Sequence, residues 1–144
     1  MKIRSTSFEH GKPIPKKFTC QGENVSPELS FHEVPPDAKS LALIVDDPDA
    51  PSGTFDHWIA WNTPAGSKGF PEGAVLPHQG KNGYGKTGYK GPCPPPGKPH
   101  RYFFKLFALD AILTLPEGAS KNEVECAMEG HILAKAELIG TFFR

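Results

Sequence analysis

At 144 residues the chain has the length of one domain, enough to bury a single core, and the expected organisation is one unit spanning 1–144. Its 16 basic and 16 acidic side chains cancel to a formal charge of +0, which removes any electrostatic reason to expect nucleic acid or an anionic membrane surface as partner. The 15 glycines and 16 prolines exceed ordinary usage without a collagen period, so a loop-rich but folded domain is expected.

The N-terminus carries Lys2 and Arg4 but no apolar core of a secretory signal, and a cytoplasmic product is the expectation. An apolar run bounded by polar residues predicts a strand over 40–46. Its Leu41-Ala42-Leu43-Ile44-Val45 is the longest uninterrupted apolar stretch, far short of the roughly 18 residues of a membrane helix, so no span is expected. Residues 57–63, rich in Trp and Ile, and 102–110, dense in Phe and Leu, read as two further strands of the same sheet. Proline- and glycine-rich stretches separate them, at 35–36, 47–53, 63–73 and most heavily 80–99. The last is too long for an ordinary connection, and its prolines favour an ordered, functional loop. Ser120 and Glu123 form a capping-box pair that opens a helix with Val124, Ala127 and Met128 on one face and Gly130 as its stop. Residues 134–143, with Lys135 and Glu137 at period two, read as strand, a continued helix being the alternative. Cys20, Cys93 and Cys126 are odd in number and far apart, which predicts free thiols.

Gly80-Lys81-Asn82-Gly83-Tyr84-Gly85-Lys86-Thr87 satisfies the phosphate-binding loop pattern, and 83–88 satisfies G-x-G-x-x-G. Either motif needs a helix leaving the loop, because the helix N-terminus supplies the N–H groups that hold phosphate. Here the exit runs into Gly91-Pro92-Cys93-Pro94-Pro95-Pro96, which cannot be helical, so both matches are rejected.

Three segments at strand ends remain: Asp47-Pro48-Asp49-Ala50-Pro51, Gly53-Thr54-Phe55-Asp56-His57-Trp58, and 91–102 with His100, Arg101 and Tyr102. Antiparallel pairing of the first two strands would bring Asp47 and His57 to one edge, and His100 and Tyr102, two apart, share a face. Two imidazoles, a phenol and loops with approachable N–H groups suit a small oxyanion. Asp47 repels such a guest unless it holds a histidine N–H, and that pairing is the expected one. Each residue alone also has a purely structural reading, a tight turn at 47–51 and a hydrogen-bonded rim histidine at 57; it is their convergence that points to a pocket. Asp47, Asp49, His57 and His100 lack any fixed metal-ligand spacing. Cys93 with His100 as nucleophile and base has no fixed geometry, and Ser52 lacks a nucleophile-elbow context. His10, His32, His78 and His131 are expected in surface or packing roles. Arg101 should point to the face opposite His100 and Tyr102, as an ion-pair partner.

These motifs, in this order, together with Gly22-Glu23-Asn24-Val25-Ser26-Pro27-Glu28-Leu29 and Glu129-Gly130-His131-Ile132-Leu133-Ala134, resemble the phosphatidylethanolamine-binding protein family, in its bacterial and archaeal Raf-kinase-inhibitor-like branch. The resemblance implies a mainly β (α+β) fold: a large central antiparallel sheet, a second smaller sheet and a peripheral helix. It also implies a shallow pocket for phosphate-like groups, with no metal or organic cofactor. Position by position, it assigns ligand binding to Asp47, Ala50 (through its backbone), Pro51, His57, Gly91, Pro92, His100 and Tyr102, with Asp49 bracing the loop. The chain ends at Arg144 without the C-terminal helix of the long eukaryotic members, so a more open pocket and a phosphoryl group, rather than the whole phospholipid, are expected.

The expected function is therefore non-catalytic: binding of a small anionic or phosphorylated ligand and, as the resemblance implies, inhibition of a kinase or a serine protease. A hydrolase or transferase with a histidine general base is the alternative. Protease inhibition by an exposed loop independent of the pocket is a third reading. The loop-rich surface permits a homodimer without requiring one.

Overall fold

A computed structural model describes residues 1–144. In chain order the elements are β1 (Lys2–Arg4), a 3-10 turn (Lys16–Phe18), β2 (Leu29–His32), β3 (Ser40–Asp47), β4 (Phe55–Pro64), β5 (Gly69–Phe70), β6 (His100–Leu109), α1 (Lys121–Met128) and β7 (Ile132–Phe142). A four-stranded antiparallel sheet has the order β4-β3-β6-β7, and a smaller antiparallel sheet has the order β1-β2-β5. No helix is long and apolar enough to cross a membrane.

The unbroken apolar run of β3 follows from its central place, since both faces of that strand are covered. Leu41, Leu43 and Val45 face one way, into a core shared with Phe104, Leu106 and Leu138 of the large sheet and with Leu29, Phe31 and Phe70 of the small one. Ala42 and Ile44 face the other way, where Ile59, Trp61, Leu109 and the helix residues Val124 and Met128 pack on them. Burial of each such aliphatic or aromatic side chain contributes roughly 1.5–3 kcal/mol.

The helix opens on the expected capping box: the Glu123 N–H donates to Ser120 Oγ at 3.1 Å, and the Ser120 N–H donates to the Glu123 carboxylate at 3.1 Å. Its first residue is tied to the sheet. Lys121 Nζ lies 2.8 Å from Asp46 Oδ2 and 3.2 Å from Asp56 Oδ1, and Lys105 Nζ reaches the same Asp46 oxygen at 2.9 Å. Burial works against the Lys121 ammonium, yet Asp46 and Asp56 together hold its pKa above the ordinary value. A buried carboxylate thus sits between two ammonium groups and anchors the helix.

Strand boundaries differ from the sequence reading by one or two residues. β4 begins at Phe55 and β6 at His100, so His100 and Tyr102 stand on one strand at period two. β7 spans Ile132–Phe142, which settles its alternation in favour of strand. The small sheet is where the sequence reading assigned no elements. Its strands have two to four residues, too few to show a period, and β5 falls inside the stretch 63–73 read as loop. The thiol expectation is corrected as well. Cys20 and Cys93 are joined in a disulfide across 73 positions of sequence, and only Cys126 is a free, exposed thiol. An odd count hides a pair when one cysteine is surplus.

Candidate functional site

The site is built at one end of the large sheet. Val45 of β3 opposes Trp58, but Asp46 opposes Asp56, so a bulge leaves His57 without its own partner across the pair. On the other side of β3, Asp46 opposes Phe103, which carries Asp47 to the level of Tyr102. The ends of β3, β4 and β6 therefore converge. There a cavity of about 120 Å³ is lined by Asp47, Ala50, Pro51, His57, His100 and Tyr102 of the expected set. It is also lined by Phe55, Tyr84, Cys93, Pro94 and Pro95, which the sequence reading did not select. A water occupies about 30 Å³ in the liquid, so the space suits a tetrahedral oxyanion or a few waters.

Asp47 is fully engaged by the protein itself. Its Oδ2 accepts from His100 Nδ1 at 2.7 Å, and its Oδ1 accepts from the Asp49 N–H at 2.8 Å. The carboxylate therefore orients an imidazole and closes the turn, which is how an acid can sit at an anion cavity without opposing the guest. With Nδ1 held, Nε2 is the His100 nitrogen left to meet a ligand. The same division holds at His57, whose Nδ1 donates to the Lys90 carbonyl at 2.6 Å. Burial pushes the His57 pKa below its ordinary value, against the opposing pull of the Lys90 carbonyl and the carboxylates of Asp47, Asp56 and Asp46. His57 is thus neutral at pH 7, with a lone pair on Nε2.

Tyr102 is 1% exposed, and its hydroxyl is a buried polar atom without a hydrogen-bond partner. Burial, then the negative charge of Asp47, pushes the phenol pKa far up, so the hydroxyl stays a donor. An unpaired buried donor costs about 1–3 kcal/mol, a deficit that a guest acceptor would relieve. The wall behind it is aromatic: His57 packs edge-on to Tyr102 at 5.3 Å between centroids, and Phe55 lies 4.9 Å from His57 and 5.1 Å from Tyr84.

Gly91 and Pro92, expected as ligand-binding residues, lie outside the cavity lining. They pair instead with the N-terminal segment: the Gly91 N–H donates to Asn24 Oδ1 at 2.7 Å, and the Pro92 carbonyl accepts from the Cys20 N–H at 3.1 Å. Together with the disulfide, these contacts hold the stretch that delivers Cys93, Pro94 and Pro95 to the cavity. A Cβ on Gly91 would collide with the Phe18 backbone and with Asn24 Oδ1. Gly91→Ala is accordingly expected to lower stability by about 1–3 kcal/mol, read as a shift of the urea midpoint. An unchanged midpoint would mean that the segment is not held as described.

Asp49 and Arg101 lie at the rim, joined by two side-chain contacts at 2.9 Å, and the Arg101 N–H adds a third bond to Asp49 Oδ2 at 2.9 Å. The guanidinium holds the Asp49 pKa at about 2. The β3–β4 loop is thereby fastened to the start of β6. Cys93, weighed as a nucleophile, is bonded to Cys20 and has no thiol to offer. His10, His32 and His131 form hydrogen bonds away from the cavity, with the Ile139 N–H, Ser30 and Asp110 respectively, and neither His78 nor Ser52 lines it. The stretch 80–87 is a turn closed by a bridge between Lys81 and Thr87, with no helix behind it.

Comparisons with known proteins agree over nearly the full length. The family model described as phosphatidylethanolamine-binding protein matches residues 4–143. A relative called UPF0098 protein, from Methanothermobacter thermautotrophicus, is 51% identical over 151 aligned positions, covering 100% of this chain and 99% of the relative. The crystal structure of a phosphatidylethanolamine-binding protein homolog from Chlamydia trachomatis superimposes with a TM-score of 0.95 at 46% identity, covering 99% of this chain and 97% of the other. Escherichia coli YbcL, described as a new member of the mammalian family, gives 0.92 at 32% identity, covering 99% and 98%.

Proposed function

Since the chain belongs to the phosphatidylethanolamine-binding protein family, we propose that it is a non-catalytic binding protein whose cavity takes a phosphoryl or similar oxyanion and that it acts by inhibiting a partner kinase or serine protease. The observation that carries the ligand reading is the set of unused groups around one small space: Nε2 of His57, Nε2 of His100 and the partnerless hydroxyl of Tyr102. Hydrogen bonds to a charged guest contribute about 1.5–3 kcal/mol each. His100→Ala should therefore weaken sulfate binding by at least about tenfold in a calorimetric titration, and Tyr102→Phe by a smaller factor. Equal affinity in wild type and His100→Ala would remove the cavity from the account.

One feature favours a second reading. The Asp47–His100 pair has the arrangement of an oriented general base, as a hydrolase or transferase of phosphate-type substrates requires. The hydroxyls lining the cavity are the phenols of Tyr84 and Tyr102, however, and the one cysteine there is bonded. Turnover of phosphate esters that is lost in His100→Ala would select this alternative over binding alone. Inhibition that survives His57→Ala and His100→Ala but is lost on loop substitutions would select a loop-borne inhibitor instead.

The disulfide argues for an oxidising compartment, outside the cytosol of most mesophiles, rather than for the cytoplasm. Acid-quenched alkylation in cells decides between them: modification of Cys126 alone marks a chain that keeps its bond in place.

A further inference from the structure

We infer that the guest of this cavity is a small phosphate ester bearing a second anionic group, and that Lys86 and Lys90 form the subsite receiving that group. The inference rests on the oxyanion reading of the cavity and goes further, to the class of ligand. Beside the cavity lies a depression of about 260 Å³ lined by Cys20, Asn24, Tyr84, Lys86, Lys90 and Gly91. Tyr84 lines both spaces, and the Cys20–Cys93 disulfide divides them, with Cys20 on one side and Cys93 on the other. The two recesses thus adjoin at one covalent bridge and one phenol ring.

The charge on the far side is uncompensated. The lysine-to-acid ion pairs of the molecule lie elsewhere, at Lys2, Lys17, Lys105, Lys121 and Lys135, and neither Lys86 nor Lys90 has an acidic partner within ion-pair distance. The loop presenting Lys86 is fixed in place. The buried Asn82 accepts from the N–H groups of Tyr84 at 2.9 Å and Lys86 at 3.3 Å, donates its amide to the Gly88 carbonyl at 3.0 Å, and donates its own N–H to the Lys86 carbonyl at 2.8 Å. Lys90 is fixed through its carbonyl, which holds His57. The stretch that imitates a phosphate-binding loop in sequence thus delivers a lysine to the neighbourhood of the cavity by another route, a side-chain-braced turn rather than a helix N-terminus. Two unpaired ammonium groups attract a carboxylate or a second phosphate and repel an ammonium such as that of an ethanolamine head group.

Titration with inorganic phosphate, 3-phosphoglycerate and O-phosphoethanolamine tests this. The carboxylate ester should bind about tenfold more tightly than inorganic phosphate, and the ammonium ester no more tightly than inorganic phosphate. Lys86→Ala should reduce the preference for 3-phosphoglycerate about three- to fivefold, leaving inorganic phosphate unaffected, and Lys86→Glu should shift preference toward O-phosphoethanolamine. Phosphate binding with no discrimination between the two esters, or a preference unchanged in both Lys86 variants, overturns the second subsite while leaving the oxyanion reading intact. Failure of inorganic phosphate and both esters to bind overturns both.

Discussion

Replacing Cys20 and Cys93 together by serine is expected to cost about 4 kcal/mol, the loop-closure entropy of a cross-link spanning 73 positions. For a chain of this size that corresponds to roughly 10–15 °C in Tm. The bond joins the segment after the 3-10 turn to the loop entering β6, two regions otherwise linked by the hydrogen bonds of Gly91 with Asn24 and of Cys20 with Pro92. Its loss should also be felt at the cavity, because Cys93, Pro94 and Pro95 form part of the lining. On the far side, the Arg144 guanidinium donates to the Pro94 carbonyl at 2.5 Å, so without the covalent bond the loop would keep only hydrogen-bonded anchors. The double variant should therefore bind sulfate more weakly as well as melt earlier. Thermal denaturation of oxidised protein, dithiothreitol-reduced protein and the double variant provides the check; coincident melting of all three would show that the bond constrains nothing.

Anion affinity should rise as pH falls, and the histidine geometry fixes the sign. In the free protein burial holds His57 below its ordinary pKa of about 6.5, with Nδ1–H committed to Lys90 and a lone pair on Nε2. An oxyanion meeting that lone pair is repelled until Nε2 takes a proton, so the bound state favours the imidazolium and has the higher His57 pKa. Affinity then increases as pH is lowered from the bound-state pKa towards the depressed free-state value and levels off below it. The slope is at most tenfold per pH unit for one proton taken up. Sulfate is the suitable probe, since phosphate gains charge across the same range. Stability of the ligand-free protein should move oppositely. The His57 contribution is complete above about 6.5 and is lost as pH falls below it, because the unfolded chain takes the proton first. A sulfate affinity flat between pH 8 and pH 5 would mean that His57 does not take up a proton on binding.

The elements that could be read directly from the sequence were long or carried a local signature. β3, β4 and β6, strands of eight to ten residues, announce themselves through their density of apolar side chains, and α1 through the Ser120–Glu123 box, because these signals depend on neighbours in sequence. The small sheet does not, since its β1–β2–β5 pairing joins strands far apart and each too short for a pattern. The presence of a second sheet followed only from the family resemblance. At the site, period two on β6 placed His100 and Tyr102 together, and charge logic gave Asp47 a histidine partner. Phe55 and Tyr84 were missed because an aromatic beside a glycine-rich turn looks like packing until the fold brings it to a cavity. Gly91 shows the converse. A glycine signals close backbone approach, but whether to a ligand or to the Phe18 carbonyl depends on the tertiary fold. The Cys20–Cys93 bond was hidden by the third cysteine.

The most direct measurement is the position of selenate, located by its anomalous scattering in a crystal soaked at saturating concentration. The account predicts a single peak in the cavity within hydrogen-bond distance of Nε2 of both His57 and His100 and of the Tyr102 hydroxyl. An empty cavity with selenate bound only elsewhere would contradict it.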